Sequence, residues 1–190
     1  MPDFRRWYVA GGTYFFTVVT DQRAAFLCQP LARCLLSKVF HEAQERWPFE
    51  MPGFVLLPDH LHTIWTLPEG DIAYSRRWGW IKKEFTKRWL AAGGEEQIVT
   101  PGRTRDGRRG VWQPKFWEHT IRDETDFEHH INYIHFNPVK HCHVTRPIDW
   151  DWSSFHRWVR AGVYDSLWGT GDVEQCPDLN FDSIQDSVGE

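Results

Sequence analysis

Hydrophobic and polar residues follow patterns along the first third of the chain that predict a strand, a helix and a hairpin. Residues 13–20 (TYFFTVVT) are β-branched and aromatic, which favours a strand. The segment 30–47 begins with proline and then places apolar residues at helical spacing, so we expect a helix there. Two further strands are predicted at 53–57 and 60–67, and the Pro58–Asp59 turn between them indicates an antiparallel hairpin.

The rest of the chain carries further structured segments. In 74–92, apolar residues mark one face of a helix and basic residues occupy the remainder. The segment 93–110 is rich in glycine and charge, which predicts a long, mobile surface loop, and a strand-like pattern returns over 111–121. The capping-box sequence TDFE at 125–128 predicts the start of a second amphipathic helix, and apolar spacing within 149–165 predicts a last one.

The order of these elements indicates an α+β fold. Strand, helix, strand, strand, helix, strand and then a further helix is the split β-α-β order of a ferredoxin-like antiparallel sheet with helices on one side. We expect one domain over residues 1–169. The acidic tail at 170–190 lacks structure signals, and we expect it to be disordered.

Charge is distributed unevenly along the 190-residue chain, whose formal net charge is -4. Between residues 171 and 190 there are six acids and no Lys or Arg, whereas 76–115 holds eleven bases against four acids. Such a basic stripe can bind phosphate groups even on an acidic protein. A solvated helix face and loop would account for the same charges equally well.

Composition argues against several classes of protein. No run approaches the roughly 18 apolar residues of a membrane helix, and the first residues lack the apolar core of a signal peptide. We therefore expect a cytoplasmic protein that is not associated with a membrane. The 4 cysteines lie far apart without a C-x-x-C pair, which argues against a zinc knuckle or a disulfide framework and favours reduced, structural thiols.

Two histidines on the predicted strand 60–67 form a candidate metal site. The period of two along a strand places His60 and His62 on one face, where their neutral ring nitrogens can share one metal ion. An H-x-H pair by itself is weak evidence, because many such pairs bind nothing. The chain has a second pair, His141 and His143, whose orientation the pattern does not define; we expect these two at the surface or in contact with DNA.

Tyr133 and Asn137 form a second candidate pair, on the helix that follows the capping box. The apolar stripe of this helix includes Ile131 and is expected to be buried. Tyr133 lies about 200° from Ile131, so it projects from the polar face, with Asn137 one turn further on. A tyrosine there is more often an ordinary surface residue, but beside an amide it offers a phenol nucleophile next to a neutral oxygen ligand. Pro138 disfavours helical geometry at Asn137 and weakens the alignment.

Four short segments occur in the order of one known family's motifs. They are LPDHLHTIWTLP at 57–68, FWEHTIRD at 116–123, YIHFNPVKH at 133–141 and DWSSFHR at 151–157. Together they closely resemble the REP-associated tyrosine transposases, which are relatives of the single-tyrosine insertion-sequence transposases. The resemblance extends over about residues 8–169.

The resemblance implies a ferredoxin-like HUH endonuclease domain that acts on single-stranded DNA. In such a domain His60 and His62 would hold Mg²⁺ or Mn²⁺, and Asn137 would complete the protein ligands. Tyr133 would attack the DNA and leave a 5′-phosphotyrosine, which another 3′ hydroxyl can reverse. The implied substrates are the single-stranded DNA hairpins of REP-like chromosomal repeats.

The resemblance also suggests which residues contact DNA. We expect phosphate contacts from the basic helix, the loop after it and the end of the tyrosine helix. Base stacking is expected from Trp112, Phe116 or Trp117, although such residues are more often part of a core. The expected phosphate ligands are Arg76, Arg77, Lys82, Lys83, Lys87, Arg103, Arg105 and Lys140.

Two other interpretations use the same residues. An insertion-sequence transposase would share the chemistry but act on the ends of its own element. A hairpin-binding regulator would have lost the chemistry, which the intact His60, His62, Tyr133 and Asn137 argue against. The sequence also leaves open whether the protein is a monomer or a homodimer, because a tyrosine helix can complete the site of its own subunit or of a partner.

Overall fold

The β-branched and aromatic segments form a four-stranded antiparallel sheet in the computed structural model, which describes residues 8–170. The strands are hydrogen-bonded in the order β2-β3-β1-β4, each antiparallel to its neighbour. This order is that of the split β-α-β fold, so the predicted α+β, ferredoxin-like class is confirmed. The strands are β1 (Thr13–Val19), β2 (Glu50–Leu56), β3 (His60–Thr66) and β4 (Trp117–Thr120).

Helices cover both faces of this sheet, because both faces are apolar. Along β1, Tyr14 and Phe16 point to one side and Phe15 to the other, and all three are fully buried. The helices at 30–46 and 74–91, which connect the strands, pack on the first side, as predicted. The helix at 124–140 packs on the second side and departs from the predicted one-sided arrangement. The α-helices within residues 8–170 are α1 (Pro30–Arg46), α2 (Tyr74–Ala91), α3 (Pro101–Arg105), α4 (Glu124–Lys140) and α5 (Phe155–Arg160).

The helix α4 begins earlier than its predicted capping box and continues past its proline. Asp123 is the N-cap residue, and its side chain accepts a hydrogen bond from the backbone N–H of Asp126. The prediction that Thr125 caps the helix is therefore wrong, because an aspartate two residues earlier already satisfies the first turn. Pro138 lies inside the last turn, and the helix runs through it to Lys140. The geometry of Asn137 is thus helical.

The connection from α2 to β4 is more ordered than the predicted loop. It contains the helix α3, and Arg103 donates to the carboxylate of Asp21 at 3.0 Å. The predicted long surface loop is therefore interrupted by a short helix, and one ion pair joins this stretch to the body. The strand predicted at 111–121 is reduced to β4 and one bridge from Trp112 to Thr20, since Pro114 interrupts the pairing.

The C-terminal part of the described chain closes over the outer side of α4. The helix α5 is shorter than the predicted segment 149–165 and ends before Gly162, whose φ is 74°. Phe155 is buried, and the indole of Trp158 donates to the carbonyl of Pro52 at 2.9 Å. The predicted disorder of the acidic tail falls almost wholly outside residues 8–170. Within that range no helix is long and apolar enough to cross a membrane.

Candidate active site

The strand β3 presents two histidine side chains to the space beneath α4. His60 and His62 lie on the same face, as the strand period predicts, with their ring centroids 4.9 Å apart. Both are buried, at 2% and 0% exposure. Between and beyond them on the strand, Leu61 and Trp65 point into the opposite core and fix the orientation of the pair.

Hydrogen bonds from neighbouring residues orient both imidazole rings. The Nδ1 atom of His62 lies 2.9 Å from the Thr17 hydroxyl, and the Nδ1 atom of His60 lies 2.6 Å from a carboxylate oxygen of Asp59. Burial alone would raise the pKa of Asp59, but its hydrogen bonds to His60 and Arg23 and their charges lower that pKa to about 2. Because each Nδ1 is held from the protein side, Nε2 is the atom that each ring offers to a metal ion.

Tyr133 lies against the histidine pair and not at the surface. Its side chain is fully buried, with its ring centroid 5.1 Å from that of His62 and 5.9 Å from that of Phe15. The prediction of an exposed polar face is wrong, because α4 is covered by the sheet on one side and by the C-terminal segment on another. His135, for example, bonds the hydroxyl of Ser154 at 2.8 Å on that outer side.

Asn137 lies one helical turn after Tyr133 and is also fully buried. Within residues 8–170, neither its amide oxygen nor its amide nitrogen has a hydrogen-bond partner. A buried amide without partners is rare and calls for a specific explanation, such as an ion or a bound group. The side chain therefore fits the predicted role of a neutral oxygen ligand beside His60 and His62.

The last turn of α4 adds two residues to this neighbourhood. Lys140 donates to the Tyr133 hydroxyl at 3.3 Å, and its ammonium group lies 5.0 Å from the centre of the tyrosine ring. His141 is half-buried, with its ring centroid 5.2 Å from that of His60, so it adjoins the histidine pair; its expected place at the surface or in contact with DNA stays a prediction. The spacing of four residues from Tyr133 through Asn137 to His141 is a signal that sequence reasoning overlooked.

A basic groove of about 870 Å³ lies between α2 and the segment leading to β4. It has no acidic residue among those that line it, so it is suited to phosphate groups. The groove supports the predicted contacts of Lys82, Lys83, Lys87 and Arg103 by position. Its basic lining residues are Lys82, Lys83, Lys87, Arg103, Arg108, Arg109 and Lys115.

Other predicted DNA contacts lie elsewhere. Arg77 is 2% exposed and binds Asp71 at 2.7 Å and the backbone carbonyls of residues 47 and 48, so its side chain is structural and the predicted phosphate contact is wrong. Arg76 is exposed but lies over the ring of Trp47 at 4.9 Å, and Arg105 is exposed outside the groove lining.

The three aromatic residues predicted to stack on bases are mainly packing residues. Phe116 contacts the aromatic core at Phe16, with ring centroids 5.8 Å apart, and Trp117 packs against Phe15 at 5.7 Å. Trp112 is 5% exposed, yet it lines the basic groove. Of the three, Trp112 is therefore the one that the fold places beside the groove.

The groove and the histidine pair lie on opposite faces but at the same end of the sheet. In the register of β1 and β3, Val19 is paired with His60. The next residue, Thr20, bonds the carbonyl of Asp59 and bridges to Trp112 of the groove. A nucleic acid strand that follows the basic groove can therefore reach the histidine pair by passing around this end.

Comparison with known proteins finds close relatives along nearly the whole chain. A REP-associated tyrosine transposase from Escherichia coli K12 is 42% identical over 173 residues, which cover 91% of this chain and 93% of the relative. A Haemophilus influenzae protein, named provisionally as a member of the same family, is 38% identical, with 89% and 94% covered. A solved structure of a REP-associated tyrosine transposase bound to a REP hairpin matches with a TM-score of 0.73 at 41% identity, covering 91% of this chain and 93% of that one. No protein-family model matches the sequence.

Proposed function

The chain belongs to the REP-associated tyrosine transposases, and on that basis we propose that it cuts and rejoins single-stranded DNA beside REP-type hairpins. The observation that carries this proposal is the buried contact of Tyr133 with His62, together with the amide of Asn137 one turn on, which has no hydrogen-bond partner within residues 8–170. The REP hairpin bound by the related structure supports the same class of substrate for this chain.

The donor set fits a divalent cation. Two imidazole Nε2 atoms and one amide oxygen are neutral ligands that fill only part of the coordination sphere. Mg²⁺ and Mn²⁺ suit such a site, because the remaining positions can hold water molecules and phosphate oxygens. We propose His60, His62 and Asn137 as the protein ligands. When bound there, the ion would supply charge stabilisation at a non-bridging oxygen of the scissile phosphate.

Tyr133 is the proposed nucleophile. Its phenol oxygen forms a bond to the scissile phosphorus and loses its proton. At the same time the bond from phosphorus to the 3′ oxygen breaks, and that oxygen gains a proton, so the leaving strand ends in a 3′ hydroxyl. The 5′ end stays on the enzyme as a phosphotyrosine. Attack by a second 3′ hydroxyl reverses these changes and releases Tyr133, so rejoining requires no external energy source.

Lys140 was predicted as a phosphate contact, and its position suggests that it acts at the reacting phosphate. Its ammonium group lies 3.3 Å from the Tyr133 hydroxyl. A cation at this distance stabilises negative charge on the phenol oxygen and on the phosphate that the oxygen attacks. We therefore assign Lys140 a place at the reaction centre.

The basic groove is the proposed binding surface for the DNA backbone. Lys82, Lys83, Lys87 and Arg103 would hold phosphates on one face of the sheet, and the strand would turn around the end at Thr20 towards His60. Arg105 is exposed on the adjoining helix α3, outside the groove lining, and its predicted phosphate contact stays a prediction.

A covalent adduct with hairpin DNA tests the proposal directly. We would incubate the protein with Mn²⁺ and labelled single-stranded REP hairpins and resolve the products on a denaturing gel. Wild type and Tyr8→Phe, a matched control at an exposed tyrosine beside α2, should form the adduct, and Tyr133→Phe should not. Binding without adduct by wild type would favour the regulator, and no binding would contradict the substrate class.

Mixing two inactive variants tests the oligomeric alternative. Tyr133 and His62 make contact within a single chain, which supports a site completed by its own subunit. An equimolar mixture of Tyr133→Phe and His60→Gln should then stay inactive. Recovery of up to about a quarter of the wild-type adduct, the fraction of intact composite sites that random pairing allows, would instead indicate a swapped homodimer.

A further inference from the structure

Two histidines and an aspartate form a second cluster of metal-ligating side chains, away from the histidine pair. His119 lies on β4, and Asp126 and His130 lie one turn apart at the start of α4. Ligand atoms from all three side chains lie within 4.8 Å of one another. We propose that this cluster is a structural site for a transition-metal ion, with Zn²⁺ as the ion.

Two of the three donor–donor distances in the cluster are close to those of a tetrahedral site. One carboxylate oxygen of Asp126, Oδ1, lies 3.1 Å from Nε2 of His119 and 3.1 Å from Nδ1 of His130. Ligand bonds of 2.0–2.2 Å in a tetrahedron separate neighbouring donors by about 3.3–3.5 Å, so shifts of a few tenths of an ångström suffice along these two edges. The two imidazole rings are stacked, with centroids 4.5 Å apart and an angle of 12° between their planes, so one ring must also tilt for all three side chains to hold an ion.

Neighbouring groups orient the Asp126 carboxylate, as they do for carboxylates that bind metal ions. The second carboxylate oxygen of Asp126 accepts from the backbone N–H of Arg122 at 3.0 Å and from its guanidinium at 3.1 Å. Such bonds orient ligating carboxylates from outside the site. The Arg122 side chain is 74% exposed, so its charge is well screened from an ion at the first oxygen. His119 is 26% exposed, which leaves a side open for a water ligand.

The alternative is an ion-pair cluster held together by protons. His130 Nδ1 lies 2.8 Å from the backbone carbonyl of Asp126, and this hydrogen bond would be lost if Nδ1 bound an ion. Two imidazoles and one carboxylate are a donor set that Zn²⁺ prefers.

The cluster is separate from the histidine pair on β3. The ring of Phe15 lies between the two sites, with its centroid 4.9 Å from that of His130 and 5.4 Å from that of His62. An ion in the cluster would join the first two turns of α4 to β4, with Asp126 two helical turns and His130 less than one turn before Tyr133. Its role would be to fix the position of the helix that carries the nucleophile.

Metal binding can be measured without the histidine pair on β3. We would titrate tag-free His60→Gln/His62→Gln protein with Zn²⁺, and with Co²⁺ as a spectroscopic probe of a tetrahedral site. One equivalent should bind at micromolar concentration. Adding His119→Gln should abolish it, because glutamine keeps a hydrogen bond to Asp126 but is a poor ligand. Adding His129→Gln, an exposed neighbour of His130, should not change it.

The stoichiometry of the otherwise unmodified chain gives a second measurement. Wild type should bind two equivalents and His119→Gln one, with circular dichroism showing that both are folded. The proposal is overturned if the double variant binds no Zn²⁺ or Co²⁺, or if His119→Gln binds as tightly as His129→Gln. Because these measurements do not use DNA, their failure is distinguishable from a failure of the proposed strand transfer.

Discussion

Replacing Thr17 with valine tests whether His62 binds a metal ion through Nε2. The Thr17 hydroxyl lies 2.9 Å from Nδ1 of His62, and both side chains are buried. Valine is close to threonine in shape but lacks the hydroxyl, so the ring loses the group that orients it. A buried polar atom deprived of such a bond costs about 1–3 kcal/mol of folding stability.

The larger effect of this change should be on metal affinity. Removing the partner that orients a ligating histidine typically weakens metal binding by about 10- to 100-fold. This range corresponds to about 1.4–2.7 kcal/mol of binding free energy. We expect the Mn²⁺ concentration for half-maximal formation of the tyrosine–DNA adduct to rise by this factor in Thr17→Val, with the wild-type plateau recovered at saturating Mn²⁺.

Thr63 provides a matched control on the strand that carries His62. Its buried hydroxyl donates to the carbonyl of Gly53 at 2.8 Å, so Thr63→Val makes the same chemical change without touching the site. Its loss of stability should be similar and its Mn²⁺ dependence unchanged. Equal shifts in both variants would mean that general loosening is responsible, and no shift in Thr17→Val would refute the role given to the hydroxyl.

Three further outcomes follow from the same structure. Lys83→Ala/Lys87→Ala should weaken hairpin binding and lower the slope of log affinity against log salt by roughly one per lost phosphate contact, whereas Lys38→Ala on α1 should do neither. Arg77→Met should lower the free energy of unfolding by about 3–5 kcal/mol in denaturant titrations, because it leaves a carboxylate without its buried partner. Burial raises the pKa of Cys28 to about 12, so peptide mapping after alkylation at pH 8 should find Cys28 unmodified while the exposed thiols react.

Local patterns predicted the features that depend on neighbouring residues. The alternation around His60 and His62 was sufficient to place both on one face of a strand, and the order of strands and helices was sufficient for the fold class. The capping-box prediction was wrong because Asp123 and Thr125 are both good cap residues, and sequence patterns do not decide between two candidates two residues apart.

Features that depend on distant parts of the chain were not predictable in this way. Tyr133 is buried because the sheet covers one side of α4 and the C-terminal segment covers the other. The spacing of residues within the helix gives no information about either contact. In the sequence, Arg77 cannot be told apart from its basic neighbours, because the backbone carbonyls that it contacts belong to residues 47 and 48. The same holds for His119, which meets Asp126 only because β4 and α4 fold together.

The contacts of α4 explain how the few residues of the candidate site keep fixed positions relative to one another. Its first turn is fastened to β4 through Asp126, its middle carries Tyr133 and Asn137, and its last turn brings Lys140 to the tyrosine hydroxyl. The histidine pair belongs to the neighbouring rigid sheet, and His135 ties the outer side of the helix to Ser154. The proposed nucleophile and the proposed metal ligands are thus placed by two packed elements of one chain. For that reason, changes at the anchors of α4 should alter catalysis even where they touch neither DNA nor metal.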